Sequence, residues 1–362
     1  MTVSAFEHPF LSGLVGDDEL AGLMSPQAEI DAMLAFEAAL AMAQAGEGMI
    51  PPEAAETIAN LCTSFVPDMA GLRTGTGRDG VVVAELVSQL RSALGPEAAA
   101  HLHFGATSQD VIDTAQMLRL KKVNGLFMGR LSRLEARLRS LDCAFGGRRL
   151  MGYTRMQAAM PITVSDRIRA WVEPLGRHRL RLEIFGRDGF ALQFGGAAGT
   201  LDKLGNKTVP VRRALASALS LSDAGQWQSQ RDRLAEFSGI LTLVTGTLGK
   251  IGQDVALLAQ MGGEIRLAGG GGSSAMAHKQ NPVAAEVLVA LARFNAVQVS
   301  GMQQAMVHEQ ERSGAAWTLE WLVLPPMVQA TGAALRLAGE LLDNILSLGT
   351  EVPGSDPGHS KS

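Results

Sequence analysis

The segment from Gly269 to Pro282, GGGGSSAMAHKQNP, gathers the residue types needed to hold an anion and move a proton. Its four consecutive glycines are costly to order, so the run is either a plain linker or a loop built to move. The residues that follow favour the moving loop. Asn281 suits a helix N-cap and Pro282 the first helical position, so a helix is predicted to start here with its positive dipole end toward the loop. Lys279 adds a cation beside that helix start, and together they make a carboxylate site. Serine is a poor base at its usual pKa and needs oriented donors and a nearby cation to transfer a proton. A loop closing over an anion beside Lys279 gives Ser273 both.

A second string, His103-Phe104-Gly105-Ala106-Thr107-Ser108-Gln109-Asp110, reads as the entry to another helix, with Thr107 as N-cap and Asp110 three residues on. Free amides and hydroxyls at a helix start also grip carboxylates. A third string is Thr154-Arg155-Met156-Gln157-Ala158-Ala159-Met160-Pro161.

These loops need elements to position them, and the chain predicts helices. Aromatic residues are 5% of the chain and hydrophobic residues 46%, with a single tyrosine, a mixture that favours helix over sheet. Glu29 to Gly46 reads as an early helix stopped by Pro51-Pro52, and a second helix runs from near Val81 to before Gly95-Pro96. From Ser229 to Met261, the apolar residues Leu234, Phe237, Leu241, Val244, Leu248, Ile251, Val255 and Leu258 alternate gaps of three and four. That is the rhythm of a bundle seam. A helix with so long a seam needs long partners, for which Ser108–Leu141, Ile162–Gly186, Pro282–Arg312 and Trp317–Leu346 are the candidates, the last kinked at Pro325-Pro326. Val172, Leu175 and Leu180 are too loosely spaced to define a face for the second of these. The segment from Gly349 to Ser362, rich in Gly, Pro and Ser, is predicted to be disordered.

The formal charge of −4 over 362 residues argues against a general nucleic-acid binder. Cys62 and Cys143 show no metal or disulfide spacing and are expected to be buried or half-buried thiols. The N-terminus lacks the basic start and apolar run of a signal peptide, and no uncharged stretch has the length of a membrane span. A cytoplasmic protein is expected, with no membrane partner.

Gly272-Ser273-Ser274-Ala275-Met276-Ala277-His278-Lys279-Gln280-Asn281-Pro282 resembles the G-S-S-x-M-P-x-K-x-N-P signature of the fumarase/aspartase superfamily, differing at Ala277. His103 to Asp110 resembles its H-x-G-x-T-S-x-D segment, and Thr154 to Pro161 its T-H-x-Q-x-A-x-P segment with arginine at the histidine position. Gln226 to Arg233, ending Q-R-D-R, and His308 to Trp321 resemble two segments of the 3-carboxy-cis,cis-muconate cycloisomerase branch. The resemblance spans about Ser25 to Leu346 and implies an all-α long-helix bundle assembled as a homotetramer with active sites shared between subunits. It divides the chain into an N-terminal helical domain (1–105), a central bundle (106–348) and a tail (349–362), without the small C-terminal helical domain of relatives. By the same resemblance, Ser273 transfers the proton, while Lys279 and Asn281 hold the substrate carboxylate and stabilise the enolate-like state. Ser274 and Met276 of the loop, with Thr107, Ser108, Gln109 and Gln157, bind substrate. His103 is a pocket residue, and Gln230 and Arg312 join the site. No metal or organic cofactor is implied.

The departure at Arg155 carries chemical information. In fumarase-like and adenylosuccinate-lyase-like members, the histidine at this position handles the proton of a leaving hydroxyl or amine. Arginine stays charged at any working pH and cannot do so. A carboxylate group with a pKa of about 4 needs no such acid. The departure therefore fits a cycloisomerase, in which the substrate's own carboxylate adds to a conjugated double bond to form 4-carboxymuconolactone, and Arg155 would help neutralise a tricarboxylate. The alternatives are an adenylosuccinate-lyase-like enzyme releasing fumarate and a non-catalytic scaffold of the same fold.

Overall fold

The computed structural model describes residues 4–272 and 280–351. Two short helices, α1 (Ser12–Val15) and α2 (Asp18–Leu23), lead into α3 (Pro26–Gly46), capped by Ser25. Then come α4 (Pro52–Ser64), α5 (Met69–Asp79), α6 (Val83–Ala93) and α7 (Pro96–Ala99). Pro51-Pro52 is thus not only a stop: Pro52 is the first residue of α4. Helix α5 buries only Leu72 and Gly75, too few apolar positions to show a rhythm in the sequence.

The bundle begins with α8 (Ser108–Phe145), whose 38 residues make a rod of about 57 Å. A hairpin follows, β1 (Arg149–Thr154) and β2 (Gln157–Thr163), then α9 (Val164–Asp188), a 3₁₀ turn (Asp202–Lys207), α10 (Thr208–Ala218) and α11 (Asp232–Met261). The short strand β3 (Ile265–Leu267) precedes α12 (Val283–Gln304) and α13 (Gly314–Asp343), and β4 (Ile345–Leu348) returns to pair with β3. The all-helical expectation holds, with two antiparallel strand pairs added at its margins.

All eight residues of the expected α11 seam are buried at 3% exposure or less. Helix α11 packs on α9, α12 and α13, and α8 on α9 and α13. Helix α9 does carry a seam: Val164, Ile168, Trp171, Leu175, His178, Leu182 and Phe185, at alternating gaps of four and three. It was hidden because Trp171 and His178 occupy core positions, while the apolar Leu180 and Ile184 are about half exposed. Burial pushes the His178 pKa down to about 4, so it packs as a neutral ring accepting from Arg181 and bonded to Thr247. Helix α13 passes through Pro325 and Pro326 without ending.

Helices α11 and α12 run antiparallel at close range. A Cβ on Gly252 would lie 2.5 Å from the Ala285 carbonyl oxygen, and one on Gly249 2.5 Å from the Ala292 Cβ. The start of α12 therefore lies against the end of α11. Helix α12 ends at Gln304, short of the expected Arg312, leaving 305–313 as a non-helical connector.

Around the start of α12, several segments are stitched together. Gly271 and Asn281 exchange two backbone hydrogen bonds of 2.9 Å, and Met151 N–H donates to Glu264 Oε1 at 2.7 Å. Gly349 N–H donates to the Glu264 carbonyl, and Thr350 pairs with Arg149. Gly349 and Thr350, counted with the tail in the sequence, are thus tied to the fold, and 352–362 lie outside the described residues. Cys62 is buried, its thiol pushed up to about 12 by burial, whereas Cys143 is exposed rather than half-buried.

Candidate active site

At the N-terminal end of α8 the structure brings three expected residues together. Thr107 is the N-cap, and its N–H donates to Asp110 Oδ2 at 3.0 Å, closing the capping box. Gln109 is fully buried and sends its Nε2 to the Gln228 carbonyl (2.8 Å) and Asp113 Oδ2 (3.1 Å). Its Oε1 accepts from Arg312 Nε at 3.1 Å. Arg312 Nη2 also donates to Thr107 Oγ1 (3.1 Å) and the Ala197 carbonyl (3.2 Å). Three acceptors thus hold an exposed guanidinium at a helix N-terminus, where cation and dipole both favour a carboxylate. Arg312 reaches this place because Ser313 caps α13, its Oγ accepting from the Ala316 N–H. Ser108, the first residue of α8, is half-buried beside them.

Beneath this layer lies a buried charge network that sequence reasoning missed. Arg231 donates to Asp113 (Nη1 to Oδ2, 2.6 Å) and Glu320 (Nε to Oε1, 2.8 Å), all three side chains being at most 1% exposed. Its guanidinium stacks over Trp227, 4.8 Å from the ring centroid. Trp317 Nε1 donates to Asp113 Oδ1 at 3.0 Å, and His308 Nε2 lies 3.5 Å from Glu320 Oε1. Burial opposes charge on Glu320, but the Arg231 guanidinium overrides it and holds the carboxyl below its usual range. Asp110 is a third buried acid beside Asp113 and Glu320. Burial pushes it up to about 6, against hydrogen bonds from the N–H groups of Gly195, Gly196 and Thr107 and from Gln193 Nε2. Gly196, at φ +67, must be glycine here, since a Cβ would lie 2.9 Å from the Gly105 carbonyl oxygen. The available signal was Asp110 and Asp113, three residues apart on either side of Val111-Ile112 and so on one face of α8.

Other expected residues lie apart from this cluster. Gln230 is exposed and bonds only weakly to the Gln226 carbonyl (3.4 Å), and the buried neighbour Gln228 takes the structural place, donating to the Glu311 carbonyl at 3.0 Å. His103, at φ 60, pairs through Nδ1 with Glu37 Oε1 at 2.6 Å and anchors the connector to α3. Burial works against its charge, but the Glu37 carboxylate more than offsets this, and the pKa is raised above 6.5. A raised histidine pKa contributes stability that is fully present below the unfolded value and lost as pH rises through the folded value. His103→Gln is therefore expected to lower the urea midpoint more at about pH 6 than at about pH 9. Equal losses at both would mean that the pair is not ionised.

Arg155 and Gln157 are exposed on the β1–β2 hairpin. Arg155 (φ 47) and Met156 (φ 66) form its two-residue turn, whose positive φ values usually call for Asn-Gly, so the sequence did not announce it. Arg155 lines a cavity of about 620 Å³ with Arg167, Lys250 and Asp254. Asn281 is not the N-cap of α12. Its backbone is engaged with Gly271, Pro282 takes the cap position at ψ 60, and the helix begins at Val283. Ser273, Ser274, Met276 and Lys279 lie outside the described residues.

These positions fall at opposite ends of the bundle. Arg231 and the Arg312 cluster adjoin the start of α11, while Lys250, Arg155 and Asn281 adjoin its end. The 30 residues of α11 span about 45 Å.

Comparison with known proteins identifies the family. The profile of the lyase family matches residues 15–301. A 3-carboxy-cis,cis-muconate cycloisomerase of Pseudomonas putida is 38% identical over 331 residues, covering 89% of this chain and 78% of that protein. One from Pseudomonas aeruginosa is 39% identical over 331 residues, covering 89% and 72%. The crystal structure of the 3-carboxy-cis,cis-muconate lactonizing enzyme from Pseudomonas putida superimposes with a TM-score of 0.88 at 35% identity, over 93% of this chain and 77% of that one. A family profile over most of the chain, relatives at this identity and a shared long-helix bundle agree: the protein belongs to the lyase family of the fumarase/aspartase superfamily.

Proposed function

We propose that this protein is a 3-carboxy-cis,cis-muconate cycloisomerase, forming 4-carboxymuconolactone in the protocatechuate branch of the beta-ketoadipate pathway. The observation that carries this reading is Arg155, a permanent cation at the turn of the exposed hairpin, where lyases that expel a poor leaving group need a titratable acid. In the cycloisomerisation a substrate carboxylate oxygen bonds to one carbon of the double bond. The π electrons move to the carbon alpha to a second carboxylate, and that carbon takes up one proton. No group leaves and no acid for a leaving group is needed. Ser273 is assigned the proton and Lys279 and Asn281 the developing enolate charge. Arg312, Thr107 and Ser108 hold a further carboxylate of the substrate, and Gln109, buried with both ends of its amide engaged, positions the Arg312 guanidinium rather than touching substrate.

The reading includes a homotetramer with shared sites. It is supported by the separation of Arg312 from Asn281 along α11 and by the surface of α12. This helix is long and apolar enough to cross a membrane, yet only 28% of its most apolar stretch is buried, and Val297 is 68% exposed. In a bundle of this family, such a face is covered by neighbouring copies. A cytoplasmic location belongs to the same reading.

The test is the ultraviolet absorbance of 3-carboxy-cis,cis-muconate with purified protein and with Ser273→Ala. Loss of the diene signal with the wild type, slowed by about 10²–10⁴ in the variant, is the expected result. An unchanged signal with the wild type would overturn the substrate assignment, and full turnover in the variant would remove Ser273 from the chemistry.

A further inference from the structure

Between α3, α8 and α13 lies a cavity of about 180 Å³ that the site above does not use. Ile112, Leu120 and Leu324 give it apolar walls, and Gln116, Arg119 and Trp321 are its polar lining, with Glu29 at the same edge. Each of those three polar side chains carries a buried atom without a partner among the described residues: Oε1 of Gln116, Nε of Arg119 and Nε1 of Trp321. A single unmet polar atom costs about 1–3 kcal/mol, and three around one small cavity are unusual for packing alone. Gln116 and Arg119 are each 9% exposed, so bulk water does little for them. Arg119 has one carboxylate neighbour, Glu29 at 3.2 Å, whose side chain is 40% exposed and therefore screened. Burial accordingly lowers the Arg119 pKa despite that neighbour. Pro325, also in the lining, has no N–H, so the Trp321 carbonyl lacks its helical partner as well.

We propose that this cavity is a second ligand site, built for a small monocarboxylate with an apolar body about the size of a benzene ring. Cavities of ~150 Å³ in other proteins take benzene, which sets the size. The guanidinium of Arg119 and the indole N–H of Trp321 supply donors to a carboxylate, and the Gln116 amide presents either its oxygen or its nitrogen by rotation. The apolar walls take the body. The site shares α8 and α13 with the Arg312 cluster but none of its residues. Trp321 packs against Trp317 in a tilted contact, ring centroids 4.7 Å apart, and Trp317 bonds to Asp113 of the buried charge network.

The test is calorimetric titration of the intact protein with benzoate and with benzyl alcohol, which has a similar body and no charge. Saturable benzoate binding is expected in the wild type, weaker by about tenfold or more for benzyl alcohol and for the variants Arg119→Met and Trp321→Phe. Arg312→Ala is expected to bind benzoate as the wild type does, which separates this site from the catalytic one. The thermal midpoint without ligand checks the fold of each variant, and should Arg119→Met fail to fold, Trp321→Phe decides. Absence of saturable binding, binding undiminished in the cavity variants, or binding lost only in Arg312→Ala would each overturn the proposal.

Discussion

Arg231→Met is expected to remove about 3–5 kcal/mol of stability, the cost of leaving buried carboxylates without their cation. Asp113 and Glu320 are both fully buried, and both face the Arg231 guanidinium. Methionine keeps an apolar stem but removes the guanidinium, and with it both the charge and the contact over the Trp227 ring. Asp113 retains donors from Trp317 and Gln109, neither of them a cation, and His308 is 3.5 Å from Glu320. The measurement is the denaturant midpoint, beside Gln230→Met as an exposed neighbour expected to change stability by less than about 0.5 kcal/mol. A loss below about 1 kcal/mol for Arg231→Met would mean that the two acids are protonated in the folded protein. The damage also reaches function, because Asp113 fixes Gln109 and Gln109 fixes Arg312.

Arg312→Ala and Asn281→Ala are each expected to lower kcat/KM by about 10²–10³, and mixed subunits of the two are expected to regain activity. The two residues adjoin opposite ends of α11, so no single chain brings them to one substrate. If one site takes Arg312 from one subunit and Asn281 from another, a randomly reassembled mixture has both intact in about a quarter of its sites. Denaturing the two inactive variants together, refolding them and assaying the product therefore checks the shared site directly. Recovery to no more than the activity of either parent would exclude it. Neither substitution removes a member of the buried charge network, and Asn281→Ala leaves the backbone pairing with Gly271 in place.

The helical architecture was legible because burial follows rhythm. Every position of the α11 seam named from spacing is in the core. The α9 seam was not legible, since Trp171 bonds through its indole to Asp254 and His178 is neutral inside, and neither choice is visible in an apolar pattern. The hairpin escaped for a related reason: Arg155 and Met156 hold left-handed backbone without the residues that usually mark it. At the site, Thr107, Gln109 and Arg312 were found through motifs and do converge. Arg231, standing beside Gln230 in the same motif, was passed over because a charge in an isolated sequence reads as surface. Its burial becomes evident only when α8 and α13 bring Asp113 and Glu320 to it from distant parts of the chain.

The stitching around Glu264 has a mechanical meaning. The chain leading into the glycine run starts from β3, β3 is bonded to β4, and the residue pair Gly349-Thr350 joins that sheet to Arg149 at the root of the hairpin, with Glu264 bonded to both sides. The arm bearing Arg155 and the strand feeding the signature segment thus share one footing within a subunit. Any displacement of that footing carries both arms together, so their spacing is preserved, while in the proposed tetramer their joint distance from the Arg312 of another copy would change.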